Sequence, residues 1–231
     1  MATRPRPATS PFAPFAPVAP PRTVAPRAPG EAPARIGPNA IIQTWQALRT
    51  HVGPALADAI LHEATGRLPA TLPTAMVAEH EAIAMVQRVR QRLDDDEAME
   101  VLRDAGRRTA RYLLAHRIPR PAQWLMRAAP APIAFAILAE AMARHAWTFA
   151  GSGRFEWRAS PRTLLRLHDS PMCRDVRASC PYCDYYAATF DVLVRTLVSP
   201  RVVVREVRCR AMGDACCDFA VIPRRDSAAN A

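Results

Sequence analysis

Six cysteines, all between residues 173 and 217, are the side chains in this 231-residue sequence whose chemistry most needs explaining. Four residues stand out by type: Cys183, Glu206, Cys209 and Cys217. Three thiolates and a carboxylate suit a tetrahedral Zn²⁺ ion, with Zn–S near ~2.3 Å and Zn–O near ~2.1 Å. An ion there would pin the segment after Cys183 onto the last part of the chain. One condition follows from spacing. Glu206 and Cys209 have opposite parity, so a regular strand would send them to opposite faces, and a shared site needs a bulge or the strand's end between them. Scattered buried thiols beside a solvated Glu206 are the plainer alternative, and spacing alone leaves both open.

Cys180-Pro-Tyr-Cys183 offers a competing chemistry. The tetrapeptide is that of glutaredoxin-like dithiol sites, and a helix after it would lower a thiol pKa. Such a site needs a strand running directly into it, whereas residues 169–179 are polar and contain proline.

Other chemistries are excluded by what is missing. All 31 basic residues are arginine, against 21 acidic ones. Without lysine there is no Walker-type phosphate loop and no lysine Schiff base or lysine general base. The Gly151-Ser-Gly153 turn has Glu156 where a dinucleotide fold requires a third glycine. No Gly-x-Ser-x-Gly elbow, zincin helix or iron–sulfur spacing occurs. The formal charge of +10 suggests nucleic acid only weakly, and with no basic face or recognition helix none is expected as a partner.

The elements that must position these residues change character along the chain. Residues 1–37 hold ten of the 23 prolines and five arginines against one glutamate, which reads as a polyproline-like or disordered tail. Residues 38–148 have helical periodicity. Ile41, Ile42, Trp45 and Leu48 recur at three and four, and a second segment with Leu56, Ile60 and Leu61 stops at Gly66. A third segment covers 77–93, and Asp94 with Glu97 opens a fourth. Pro119 and Pro121 break the chain before an apolar helix over 133–147. After Gly153 the period shortens. Strands are predicted at 155–158 and 163–168, a helix at 185–198, and a hairpin of 202–209 and 216–222 turning at Gly213-Asp214. The fold class is α+β: a helical N-terminal half packed on a small, mainly antiparallel sheet with flanking helices. One domain over 38–223 is expected, its helical part about 38–150 and its zinc-containing part about 151–223, with a second tail at 224–231.

The apolar, uncharged run 128–139 is interrupted by Pro130 and Pro132 and falls short of the ~20 apolar residues a bilayer span requires. Proline at nearly every third position of 11–21 is incompatible with a secretory signal. A cytoplasmic location with reduced cysteines is expected.

The stretch Glu206-x-x-Cys209-x-Ala211-x-Gly213-Asp214-x-x-Cys217-x-Phe219 resembles the end of the 4-vinyl reductase domain, which also has an upstream cysteine. Most of the chain beyond the tail, including 36–43, 113–120 and 145–153, is similar to members of that family from bacteriochlorophyll synthesis in purple phototrophic bacteria. The resemblance implies reduction of the 8-vinyl group of divinyl protochlorophyllide, or another role with that pigment. From related sensor domains of phenol-responsive regulators it implies zinc on Cys183, Glu206, Cys209 and Cys217. It also implies the ligand-binding fold of haem-based nitric-oxide sensors and Golgi tethering subunits, in which helices close over a sheet around an apolar cavity. Cys173, Cys180 and Cys216 have no counterpart in the motif.

A vinyl reduction needs a hydride carrier, and no nucleotide or flavin motif is present, so NADPH belongs here only if the chain is a true reductase. Binding and presenting a tetrapyrrole needs only an apolar slot with a few polar contacts, and the arginine surplus suits a propionate carboxylate. Candidate pocket residues are His145, which could ligate a central Mg²⁺; Trp147, Phe149, Tyr185 and Tyr186, which could stack on a macrocycle; and His116 with Arg120 at a pocket mouth. Other bacteriochlorophyll-synthesis enzymes and a second copy of the chain are the expected partners, in the cytoplasm or at the periphery of the photosynthetic membrane. A small-molecule sensor is the remaining alternative.

Overall fold

A computed structural model of the chain describes residues 34–224; the two predicted tails lie almost wholly outside these residues. In chain order the elements are β1 (Arg35–Ile36), α1 (Asn39–His51), α2 (Pro54–Thr65), β2 (Val77–Ala78), α3 (Glu79–Arg92), α4 (Asp95–His116), α5 (Arg120–Ala128), α6 (Ala131–Arg144), β3 (Arg154–Arg158), β4 (Leu164–His168), α7 (Asp184–Leu197), β5 (Val202–Arg208) and β6 (Cys217–Pro223). The α+β class and its order, helices first and sheet second, are as expected from the sequence.

Local chemistry explains most boundaries. Gly66 takes the left-handed conformation that closes α2. The Asp94 carboxylate accepts the Glu97 N–H and starts α4. Two departures have physical causes. Residues 120–128 are a helix: Pro119 is its N-cap and Pro121 lies in its first turn, where a missing N–H costs nothing. Proline again precedes and opens α6, which therefore starts and ends earlier than apolar periodicity suggests. Val77–Ala78 do not join α3 but pair antiparallel with Arg35–Ile36.

The main sheet is antiparallel throughout, in the order β3-β4-β6-β5. Its core strands are joined by a buried ion pair across β4 and β6: Arg166 Nε and Nη2 donate to the two Asp218 oxygens at 2.6 and 2.8 Å. A bulge interrupts β5 between Glu206 and Arg208. Helix α7 packs on one side against β5 and on the other against α4. The α4 contact is close because of Gly106, where an added Cβ would lie 2.3 Å from the Tyr185 carbonyl oxygen. Between α7 and the sheet the rings of Phe149, Phe155, Tyr186, Phe190 and Phe219 pack edge-on and stacked, with Phe190 and Phe219 centroids 5.1 Å apart. These rings occupy the α7–sheet interface at close-packed separations.

Candidate functional site

The sulfurs of Cys173, Cys183, Cys209 and Cys217 all lie within 4.8 Å of one another, and all four residues are buried. Four elements deliver them. Cys173 ends a 3₁₀ turn, Pro171–Cys173. Cys183 is the N-cap of α7, Cys209 follows β5, and Cys217 opens β6. The Cys173 sulfur is 3.1 Å from that of Cys183 and 3.7 Å from those of Cys209 and Cys217. Cys183 and Cys217 sulfurs are 3.6 Å apart. A tetrahedron with a metal–sulfur bond of ~2.3 Å has edges of roughly 3.8 Å, so these thiols already stand near the corners a metal ion would require.

The surroundings act on the thiols in opposite directions. The N–H of Tyr182 points at the Cys209 sulfur (3.3 Å) and that of Arg210 at the Cys217 sulfur (3.4 Å). Hydrogen bonds from the other three thiols hold the Cys209 thiol well below the ordinary range, whereas burial and its sulfur neighbours push Cys183 up. Binding of a divalent cation by these four sulfurs would displace thiol protons.

Glu206 stands beside the thiols. Its Oε2 accepts the Cys183 N–H at 2.8 Å, and its Oε1 is buried without a hydrogen-bond partner. Burial, with the Cys209 charge adding to it, pushes the carboxyl up to about 9. The β5 bulge supplies the condition that residue parity imposed, turning Glu206 and Cys209 toward the same helix end. Sequence reasoning grouped Cys183, Glu206, Cys209 and Cys217; the structure brings Cys183, Cys209 and Cys217 together with Cys173 and sets Glu206 on the Cys183 backbone. Cys173 lies in an irregular segment with no period to place it, and its only sequence signal was its share in the clustering of all six cysteines.

A second ring of contacts fixes this geometry. Arg174 pairs with Glu79 and also reaches the Ser152 hydroxyl, locking the residue after Cys173 onto the start of α3. Glu79 in turn accepts the Ser152 hydroxyl at 3.0 Å, and Gly151 has positive φ where a Cβ would strike that carboxylate. The Gly-x-Gly turn therefore wraps a carboxylate, which a pyrophosphate would not tolerate. On the other flank Arg90 donates to the Tyr182 carbonyl at 3.0 Å and to Asp184 at 2.6 Å, and stacks over the Tyr182 ring. Of the other two cysteines, Cys180 is exposed and Cys216 is buried against Asp218.

The candidate pigment residues do not converge. Tyr185 is buried with its hydroxyl 2.8 Å from that of Thr109, and Tyr186 is buried with its hydroxyl donating to the Phe149 carbonyl. Phe149 joins the aromatic cluster. His145, with Nδ1 2.8 Å from the Ala141 carbonyl oxygen, and Trp147 are exposed beyond the end of α6. His116 is exposed and packs on Tyr112, while Arg120 lines a groove beside α5. A different cleft opens between α6 and the sheet, about 320 Å³ in volume, lined by Ala143, Phe155, Trp157 and Leu164 with Glu156, Arg158 and Arg166.

Known proteins now bear on this arrangement. The chain is 37% identical over 190 residues to the bacteriochlorophyll synthase 23 kDa chain of Cereibacter sphaeroides, covering 82% of this chain and 91% of that one. It is also 37% identical to the protein of the same name from Rhodobacter capsulatus, over 85% of this chain and 91% of that one. The chain belongs to this family. Residues 164–223, which hold the four thiols, match the V4R domain. Among solved structures it is similar to an H-NOX protein from S. oneidensis, with a TM-score of 0.54 at 12% identity, covering 82% of this chain and all of the other. A structure from work on heme distortion in the H-NOX family superposes with a TM-score of 0.52 at 15% identity over 83% of this chain and 99% of that one. At these identities the likeness is one of fold. This chain thus places a thiol cluster and a lateral cleft on an H-NOX-like framework.

Proposed function

We propose that this chain binds a tetrapyrrole of bacteriochlorophyll synthesis, of the divinyl protochlorophyllide type, and presents it to the enzymes that transform it. Membership of the bacteriochlorophyll synthase 23 kDa chain family carries the reading and supports a role in that synthesis. The H-NOX fold adds to it, since one of its members is described by its heme. The cleft between α6 and β3–β4 supplies suitable chemistry: Phe155, Trp157 and Leu164 are apolar members of its lining, and Arg158 is exposed there and matches a propionate. Arg166 is neutralised by Asp218 across the strand pair, which leaves Arg158 as the cleft's arginine for that carboxylate. A cleft of about 320 Å³ encloses only an edge of a chlorophyll-type ring. The rest stays outside, as presentation to a partner enzyme requires.

Zinc belongs to this proposal as a structural ion. Cys173, Cys183, Cys209 and Cys217 would hold it, with Glu206 fixing the Cys183 backbone; it would tie the 3₁₀ turn, α7 and the β5–β6 hairpin together. All four corners being protein sulfur, no position is left open for substrate.

A reductase working alone with NADPH is the competing reading, and the carboxylate under the Gly151–Gly153 turn disfavours dinucleotide binding there. The deciding experiment is anaerobic incubation of the purified chain with divinyl protochlorophyllide, with and without NADPH, followed by absorption and by chromatography of the pigment. A shifted spectrum with unchanged pigment, lost in Trp157→Ala and Arg158→Ala, is expected. Formation of the 8-ethyl pigment would replace the carrier by a reductase, and an unshifted spectrum would end the tetrapyrrole reading.

A further inference from the structure

The end of α4 and the whole of α5 form a surface that neither the pigment cleft nor the thiol cluster uses. Gln123 is buried and donates to the Leu114 and Ile118 carbonyls at 2.6 and 2.8 Å, docking α5 against the otherwise open C-terminus of α4. Met126 is buried beside it. The opposite face of α5 is turned to water, and it is not polar: Trp124 is 72% exposed and Leu125 is 54% exposed. An indole this exposed beside a leucine is costly to leave in water.

Arginines flank these two side chains. A groove of about 510 Å³ runs between α4 and α5, lined by Arg111, Leu114, Arg120, Gln123, Trp124 and Arg127, with no acidic residue among its walls. Arg117 is exposed in the connection between the helices. Among the described residues, Arg111, Arg117 and Arg120 have no carboxylate partner, and Arg127 bonds only to the Thr196 carbonyl and the Gln123 side chain. Tryptophan and leucine on the outer face of a short helix, flanked by unneutralised arginines, is the composition of a helix lying in a membrane interface. None of the described helices is long and apolar enough to cross a membrane, so contact would be from the surface.

We infer that the α4–α5 face docks on an anionic phospholipid bilayer, with Trp124 and Leu125 entering the headgroup–acyl boundary and Arg111, Arg117, Arg120 and Arg127 meeting lipid phosphates. An acidic protein partner would meet the same charges but would leave an indole and a leucine to be covered by apolar groups of its own; a bilayer supplies both chemistries in one surface.

The test is co-sedimentation of the full-length chain with phosphatidylcholine vesicles prepared with and without phosphatidylglycerol. The wild-type chain is expected to pellet with the anionic vesicles only, and added salt should release it. Arg120→Glu with Arg127→Glu should lower the bound fraction at least about tenfold, as should Trp124→Ala with Leu125→Ala. Arg201→Glu with Arg205→Glu, at exposed positions just before β5 and within it, changes net charge equally and should leave most of the binding intact. Because all six substituted side chains are exposed, unchanged thermal melting should accompany each result. Equal loss in both charge-reversed variants would reduce the effect to overall charge and overturn the assignment, as would full binding by Trp124→Ala with Leu125→Ala. Failure of the wild-type chain to pellet with anionic vesicles would overturn it outright.

Discussion

Four buried sulfurs with separations of 3.1 to 3.7 Å between the closest pairs make a testable distinction at the level of single residues. If Cys173 is a ligand and Glu206 a support, Cys173→Ser should weaken zinc retention by more than about a hundredfold, and Glu206→Gln by about ten- to a hundredfold, the range typical of outer-shell partners. Competition with a coloured chelator would measure both. Replacing zinc by cobalt gives a second readout, because sulfur-to-cobalt charge-transfer absorption grows with the number of thiolates. Glu206→Gln should leave that intensity unchanged and Cys173→Ser should lower it; the reverse order would put Glu206 on the metal. Cys183, Cys209 and Cys217 were legible in the sequence through their residue type and through the resemblance of 206–219, with its upstream cysteine, to a family motif. Cys173 was not, because its turn is placed by contacts across the fold, Arg174 with Glu79 and Ser152 and Gln87 with the Arg174 carbonyl. Tyr185 and Tyr186 were misleading in the opposite way: helical spacing cannot tell a ring that meets a ligand from one whose hydroxyl is bonded inside the core.

At the level of elements, the sheet and the α4–α7 contact each rest on one residue. Asp218 is fully buried and bound by Arg166 through both oxygens. Asp218→Ala should therefore cost about 3–5 kcal/mol in denaturant unfolding, because it strands a guanidinium in the core. Arg166→Met combined with Asp218→Leu should recover most of it, since two apolar side chains leave no unpaired charge; a double variant as unstable as the single one would show that the loss came from packing. Gly106→Ala tests the helix pair. In an isolated helix the change would stabilise by about 1 kcal/mol, but here the new methyl would meet the Tyr185 carbonyl oxygen at 2.3 Å. A net destabilisation of about 1–3 kcal/mol is expected from forcing α4 and α7 apart, and a rise in stability would refute the close approach. The order of elements was readable from periodicity. The α5 helix was not, since proline in a first turn and proline as a breaker look alike until the chain direction around them is known, and the two-residue strands β1 and β2 are too short to carry a period.

Across the whole molecule, the thiol cluster is where the latter part of the chain is held together. The 3₁₀ turn, α7, β5 and β6 meet there, and Arg90, Arg103 and Arg174 extend the contact to α3 and α4. A metal ion bound only by the folded form would thus stabilise most of the domain, and its affinity should depend on pH in a definite direction. Burial and neighbouring sulfurs raise the Cys183 thiol, so in the metal-free cluster it is protonated at neutral pH and metal uptake must release its proton. Raising the pH removes that competition and tightens binding; lowering it favours the protonated thiols. Melting temperatures measured with and without a strong chelator should therefore differ widely at pH 7 and converge as the pH approaches about 5, with zinc appearing in the dialysate over the same interval. The chelated chain should lose near-ultraviolet signal from the aromatic cluster packed between α7 and the sheet, while α1 and α2, remote from the sulfurs, keep their helical signal longer. A melting temperature indifferent to the chelator at pH 7 would mean that the four thiols are held together by packing alone, and the stability of the hairpin would then have to come from the Arg166–Asp218 pair and the rings above it.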